Sequence, residues 1–240
     1  MLIGPAVVGP HSRSRSEAIY ELVVFDLDGT LVDSAADLAD AVNAALSGNE
    51  LPRVPDEQVV GFIGNGTRLL VSRSIEVHRP APSDDLVDAV LEDFRGHYAH
   101  HCLDKTVLYP GVLEMLEALR EAGVSLAVLT NKQREFSEQI LQGLQVRSFF
   151  SSIVGGDDFP SRKPDPTGLR SILDALSCPA EACVMVGDST VDLATASNAG
   201  VSGCAVTWGF VSEAKLLAAS PRFLASTPAE VSHLLLARAM

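Results

Sequence analysis

The sequence predicts an α/β fold, a three-layer core on a parallel sheet with an α-helical cap inserted after the first strand. Three observations predict it. Short, wholly apolar runs recur along the chain, as strands buried on both faces of a parallel sheet require. Amphipathic helical stretches separate most of them, the alternation that puts helices on both sides of such a sheet. One long block, residues 36–104, breaks the alternation with helical patterns alone.

Residues 1–19 mix Gly, Pro, Ser and Arg and read as a flexible N-terminal arm. Basic residues follow its short apolar piece rather than precede it, which argues against a cleaved signal peptide. The core is expected over residues 20–35 and 105–240, and the cap over 36–104. Leu22–Phe25 is the first strand. The cap then reads as helices over Asp37–Leu46, Glu57–Phe62, Thr67–Val77 and Ser83–His101. In the core, Gly111–Ala122 carries Val112, Met115, Leu116 and Leu119 at helical spacing and closes at Gly123. Strands follow at Val124–Leu129, Ile153–Val154, Cys183–Val186 and Gly203–Val206, with helices at Phe136–Leu144 and Thr167–Leu176.

Composition narrows the function. The 240 residues are 47% hydrophobic, enough for a large core, yet no apolar run approaches the roughly 20 residues that span a membrane. A net charge of −13 argues against a nucleic-acid surface, which needs clustered Lys and Arg. Cys102, Cys178, Cys183 and Cys204 form no Cys-x-x-Cys pair, and none begins a Cys-x5-Arg pattern. Scattered thiols suit a reducing cytoplasm.

In a parallel sheet, ligands bind at the carboxyl ends of the strands. Here those ends carry chemistry. The first strand runs into Asp26-Leu27-Asp28-Gly29-Thr30, where period-two alternation would turn both acids to one side and Gly29 would permit a tight turn. The second ends in Thr130-Asn131-Lys132. The loop Gly155–Pro166 after the third carries Lys163, and the fourth runs into Gly187-Asp188, with Asp192 one helical turn on. Two acids a few ångströms apart repel by ~4 kcal/mol at an effective dielectric near 20. Lys163 alone cannot neutralise the acids at 26, 28, 188 and 192. A hard divalent cation can, and Mg2+ suits a site that keeps positions open for water and a phosphate oxygen.

These motifs resemble those of the haloacid dehalogenase-like hydrolases. Asp26–Ser34 is similar to the family's first motif, Thr130 in Val-Leu-Thr-Asn-Lys to the second, Lys163 to the third and Gly187–Asp192 to the fourth. The resemblance implies a Rossmann-like core with a helical cap between the first two motifs, a small-molecule phosphate ester as substrate and Mg2+ as cofactor. By position it implies that Asp26 is the nucleophile and Asp28 the acid and base. It implies that Thr130 and Asn131 bind phosphoryl oxygens at a helix start, and that Lys163 balances their charge. Metal binding would fall to Asp26, the backbone carbonyl of Asp28, and Asp188, with Asp192 in support.

Asp28 disfavours dehalogenation, because a halide leaves without a proton. Gly64-Asn65-Gly66, the 155–166 loop and Trp208-Gly209-Phe210 look most like the phosphoglycolate phosphatase branch, which implies 2-phosphoglycolate as substrate. Gly64, Asn65, Gly66 and Arg68 are the candidate cap residues for substrate binding. Another small phosphate, a sugar-phosphate mutase and an inactive core used for binding remain open, as does a monomer or a homodimer. His97, His100 and His101 read as a solvated helix face; Asp33, Asp157 and Asp158 carry no assigned chemistry.

Overall fold

The computed structural model describes residues 20–236; the expected N-terminal arm lies outside them. In chain order, β1 (Leu22–Phe25) and β2 (Val32–Asp33) precede α1 (Ala35–Gly48), α2 (Asp56–Val60), α3 (Thr67–Glu76) and α4 (Asp84–His101). After β3 (Val107–Leu108) come α5 (Val112–Glu121), β4 (Ser125–Leu129), α6 (Arg134–Gly143) and β5 (Ser152–Val154). The remainder alternates α7 (Thr167–Leu176), β6 (Cys183–Gly187), α8 (Thr190–Ala199), β7 (Ser202–Val206), α9 (Glu213–Ala218), β8 (Phe223–Ala225) and α10 (Pro228–Leu236).

Six strands form one parallel sheet in the order β5-β4-β1-β6-β7-β8. β1 is central because all four of its residues are apolar and can be buried on both faces. Its alternation divides the core. Val23 and Phe25 pack with Met115, Leu116 and Leu119 of α5, Ile140 of α6 and Val231 of α10. Leu22 and Val24 pack on the other side with Leu169, Ile172 and Leu173 of α7 and Ala196 of α8. Helix, sheet and helix thus make the three expected layers. Burying each large aliphatic or aromatic side chain contributes about 1.5–3 kcal/mol before the entropy of folding is counted.

The expected strands and helices appear within a few residues of the predicted limits. The edge strand β8 and the helices α9 and α10 were not read from the sequence. Phe-Leu-Ala is too short to show periodicity against its surroundings. The antiparallel pair β2–β3, with Val32 opposite Leu108, was equally hidden, since two-residue strands carry no pattern.

The helices α1–α4 fill the block that broke the alternation. Their packing is continuous with one side of the core, through residues such as Val42, Leu46, Val71 and Phe94. Where the chain leaves and re-enters the sheet, buried Asp37 accepts hydrogen bonds from Lys105 N (3.0 Å), Thr106 N (2.8 Å) and Thr106 Oγ1 (2.7 Å). One carboxylate thereby clips both crossings together.

Candidate active site

The carboxyl ends of β1, β4 and β6 surround one cavity, into which the start of α3 projects. β1 ends at Phe25, so Asp26 and Asp28 lie beyond the strand. Both line the cavity. The expected cause, strand alternation, is corrected: a tight turn does the work, with Gly29 N donating to Val32 O at 2.9 Å. Gly29 has φ +82°, and a Cβ there would stand 2.4 Å from Asp188 Oδ2, so both conformation and space require glycine.

Buried Asp26 uses Oδ1 to accept from Leu27 N (2.7 Å) and from Lys163 Nζ (2.9 Å). Lys163 also reaches Asp192 Oδ1 at 2.6 Å. Asp192 Oδ2 accepts from Ser189 N (3.1 Å) and Ser189 Oγ (2.6 Å), completing the capping box that starts α8. Asp188 accepts from Phe210 N at 2.7 Å and from Thr30 Oγ1 at 3.4 Å. Oxygens of Asp26, Asp188 and Asp192 all lie within 4.8 Å of one another.

The electrostatics follow from burial. Burial, then repulsion from Asp192, pushes the Asp26 carboxyl up to about 7, although Lys163 pulls it down. Burial, then Asp192 and Asp26, pushes Asp188 up to about 8. Burial opposes the charge on Lys163, but Asp192 and Asp26 outweigh it and hold the ammonium above its ordinary range. Fully ionised, the three buried carboxylates would outnumber the one ammonium by two charges, which is why burial favours the protonated forms of Asp26 and Asp188 until a cation arrives. The charge and the all-oxygen donor set fit a hard divalent cation such as Mg2+.

β4 ends at Leu129, and Thr130 continues its ladder by donating N–H to Val154 O at 3.0 Å. Thr130 Oγ1 accepts from Lys132 N at 3.2 Å, which leaves its hydroxyl proton available to the cavity it lines. The rest of the lining includes Lys132, Gly64, Gly66 and Thr67, with an apolar wall of Leu38, Ile63, Leu70, Phe210 and Val211.

A family model for haloacid dehalogenase-like hydrolases matches residues 23–206. The chain belongs to the haloacid dehalogenase-like hydrolases. It is 36% identical over 214 residues to a phosphoglycolate phosphatase of Vibrio parahaemolyticus, covering 88% of this chain and 94% of that one. With the phosphoglycolate phosphatase of Rhodospirillum rubrum it shares 40% identity over 195 residues, 80% of this chain and 81% of the other. A crystal structure of a predicted phosphoglycolate phosphatase from Haemophilus somnus superposes with a TM-score of 0.84 at 30% identity, over 90% of this chain and 97% of that one.

The four regions that resemble the motifs of the haloacid dehalogenase-like hydrolases all meet at this sheet edge, but several expectations change. Arg68 does not line the cavity. Its guanidinium pairs with Asp88 and, at 2.8 Å, with Asp84, both on α4. As the second residue of α3 it is rotated away from Thr67 and Leu70, which face the cavity at i and i+3. Asn65 is exposed and also off the lining, leaving Gly64 and Gly66 from that loop. Asn131 lines the cavity, and its side-chain amide donates to Gly64 O (3.0 Å) and Lys163 O (3.1 Å), tying the loop to the core. α6 begins only at Arg134, so Thr130 and Asn131 precede the helix start. Asp192 has both oxygens engaged, Oδ1 by Lys163 and Oδ2 by Ser189.

Two segments to which the sequence assigns no role of their own hold carboxylates of the site. Lys132 is buried with Nζ 3.1 Å from Asp28 Oδ1; its signal was its place directly after Thr130-Asn131. The Trp208–Phe210 stretch was noticed only as a resemblance. Trp208 Nε1 donates to Thr30 O at 3.0 Å, and Phe210 N holds Asp188. A Cβ on Gly209 would meet Asp188 Cβ at 2.3 Å.

Proposed function

We propose that this phosphoric monoester hydrolase transfers the phosphoryl group of a small anionic ester to Asp26 and then to water, with Mg2+ bound at the acid cluster. The observation that carries this reading is the state of the two acids. Asp26 and Asp28 face one cavity, each with Oδ1 engaged and Oδ2 without a hydrogen bond among the described residues. Asp26 Oδ2 attacks phosphorus as the ester P–O bond breaks. Asp28 gives its proton to the leaving alkoxide, then takes one from the water that cleaves the acyl phosphate and restores Asp26. Thr130 donates its hydroxyl to a phosphoryl oxygen, and Lys163 balances charge on Asp26. Asp26, Asp188 and the carbonyl of Asp28 would hold Mg2+, which when bound lowers repulsion between nucleophile and phosphate.

Residues 36–104 serve as the cap over a core of 20–35 and 105–236; the last four residues of the expected core lie outside the described residues. Gly64, Gly66 and Thr67 close over the leaving group. 2-Phosphoglycolate is the leading substrate, supported by the names and extent of the relatives rather than by a cationic cap side chain. Among the described residues no helix is long and apolar enough to cross a membrane, and all four cysteines are free, which supports a cytoplasmic enzyme.

The test is release of free phosphate from 2-phosphoglycolate, a sugar phosphate, a nucleotide and pyrophosphate, with Mg2+ and with chelator. 2-Phosphoglycolate is expected to be turned over best, and only with metal; Asp26→Asn is expected to abolish turnover. Wild-type turnover by that variant would refute the nucleophile. Isomerisation of the sugar phosphate without phosphate release would replace hydrolysis by a mutase.

A further inference from the structure

Lys132 is a lysine with 4% of its side chain exposed, held in a structured surrounding. Its ammonium donates to Tyr98 OH at 2.9 Å and lies 3.1 Å from Asp28 Oδ1. Tyr98 belongs to α4, the last helix of the insert, and is itself buried. Its ring stacks on Phe94 at 5.3 Å and meets Phe136 of α6 edge-on at 5.2 Å, so its hydroxyl is fixed by a packed aromatic block. The same Asp28 Oδ1 accepts from Ser34 Oγ at 2.5 Å. Two donors on one oxygen leave a carboxylate little freedom to rotate, and they leave Oδ2 as the oxygen that faces reactants. A buried ammonium is costly unless paired, so its two partners hold Lys132 in this one place.

We propose that Lys132 is a positioning residue for Asp28: together with Ser34 it pins Oδ1 and presents Oδ2 to the leaving group, and its anchor Tyr98 makes that geometry depend on the seating of α4. The inference rests on the phosphatase reading above. It assigns a task to a residue of the β4 end and to one of the insert, and it joins the two.

The experiment compares Lys132→Met and Tyr98→Phe with wild type in the full chain, with Mg2+. Two substrates are used, the alkyl phosphate that wild type turns over best and p-nitrophenyl phosphate, whose phenolate leaves without a proton. A misplaced general acid harms only the first reaction severely. Lys132→Met is expected to lose about tenfold or more in kcat on the alkyl ester, severalfold less on the aryl ester, with KM within about threefold. Tyr98→Phe keeps the ring packing and is expected to show the same contrast at smaller size; it carries the test if Lys132→Met does not fold. Equal losses on both esters, or a raised KM with kcat kept, would overturn the positioning role. An inactive wild type on every ester would instead overturn the phosphatase reading, and this inference with it.

Discussion

Replacing Lys163 with Met tests the charge balance of the site most directly. Met is nearly as long and is apolar, so the change removes the ammonium while roughly preserving volume. The Lys163 side chain is 2% exposed and contacts Asp26 at 2.9 Å and Asp192 at 2.6 Å. At an effective dielectric near 20, each such contact is worth ~6 kcal/mol before desolvation is subtracted. Desolvation removes much of that from the pair. Deleting one partner, however, strands the other charges, a loss of about 3–5 kcal/mol. For a chain of this length that corresponds to a fall in Tm of roughly 6–20 °C. The pH dependence has a definite sign. Asp26 already sits near 7 with Lys163 present, and loss of the cation raises it further. A carboxyl raised in the folded state destabilises increasingly as pH climbs from the ordinary carboxylate range through the raised value. The penalty of Lys163→Met is therefore larger at pH 8 than at pH 5. Urea unfolding followed by circular dichroism, in chelator, measures it. A loss below ~1 kcal/mol at pH 8, or an equal loss at both pH values, would refute the reasoning.

The same raised carboxyls, Asp26 near 7 and Asp188 near 8, predict that Mg2+ raises Tm more at pH 8 than at pH 5.5, where protons compete for the site. At a hundredfold excess over Kd the gain is about 2.7 kcal/mol, and equal shifts in a thermal melt would contradict it. Arg68→Ala is expected to leave KM for the best substrate within about twofold, since its partners Asp84 and Asp88 are exposed; a tenfold rise in steady-state KM would return Arg68 to the cavity. Gly209→Ala is expected to displace Asp188, because the new Cβ falls 2.3 Å from both Asp188 Cβ and Gly29 O. Overpacking of this kind costs about 1–3 kcal/mol, and calorimetry should show weakened Mg2+ binding; unchanged affinity would mean that the site yields without moving Asp188.

The core strands and the helices between them were legible because burial on two faces writes itself as unbroken apolar runs and helical packing as a 3.6-residue period. Asp26, Asp28, Thr130, Lys163 and Asp188 stood out because each follows such a run closely or lies in the loop after one. Lys132 was less visible, since a lysine beside a strand end is usually solvated; only α4, arriving from far along the chain, buries it under Tyr98. Arg68 shows the converse. Its sequence neighbours Gly66 and Thr67 reach the cavity, but helical rotation delivers the guanidinium to Asp84 and Asp88.

By itself the sequence determined the parallel α/β core, the helical insert and the acids and lysine at the strand ends, because these depend on local period and on the order of residues along one strand. Tertiary structure decided which atoms remain free. Lys163 and Ser189 engage Asp192, backbone carbonyls engage the amide of Asn131, and the Asp28 carboxylate is pinned between Ser34 and Lys132. Hydrogen bonds between residues far apart in the chain have no local signature, so which donors and acceptors remain for a substrate becomes readable only once the sheet has gathered them at one edge.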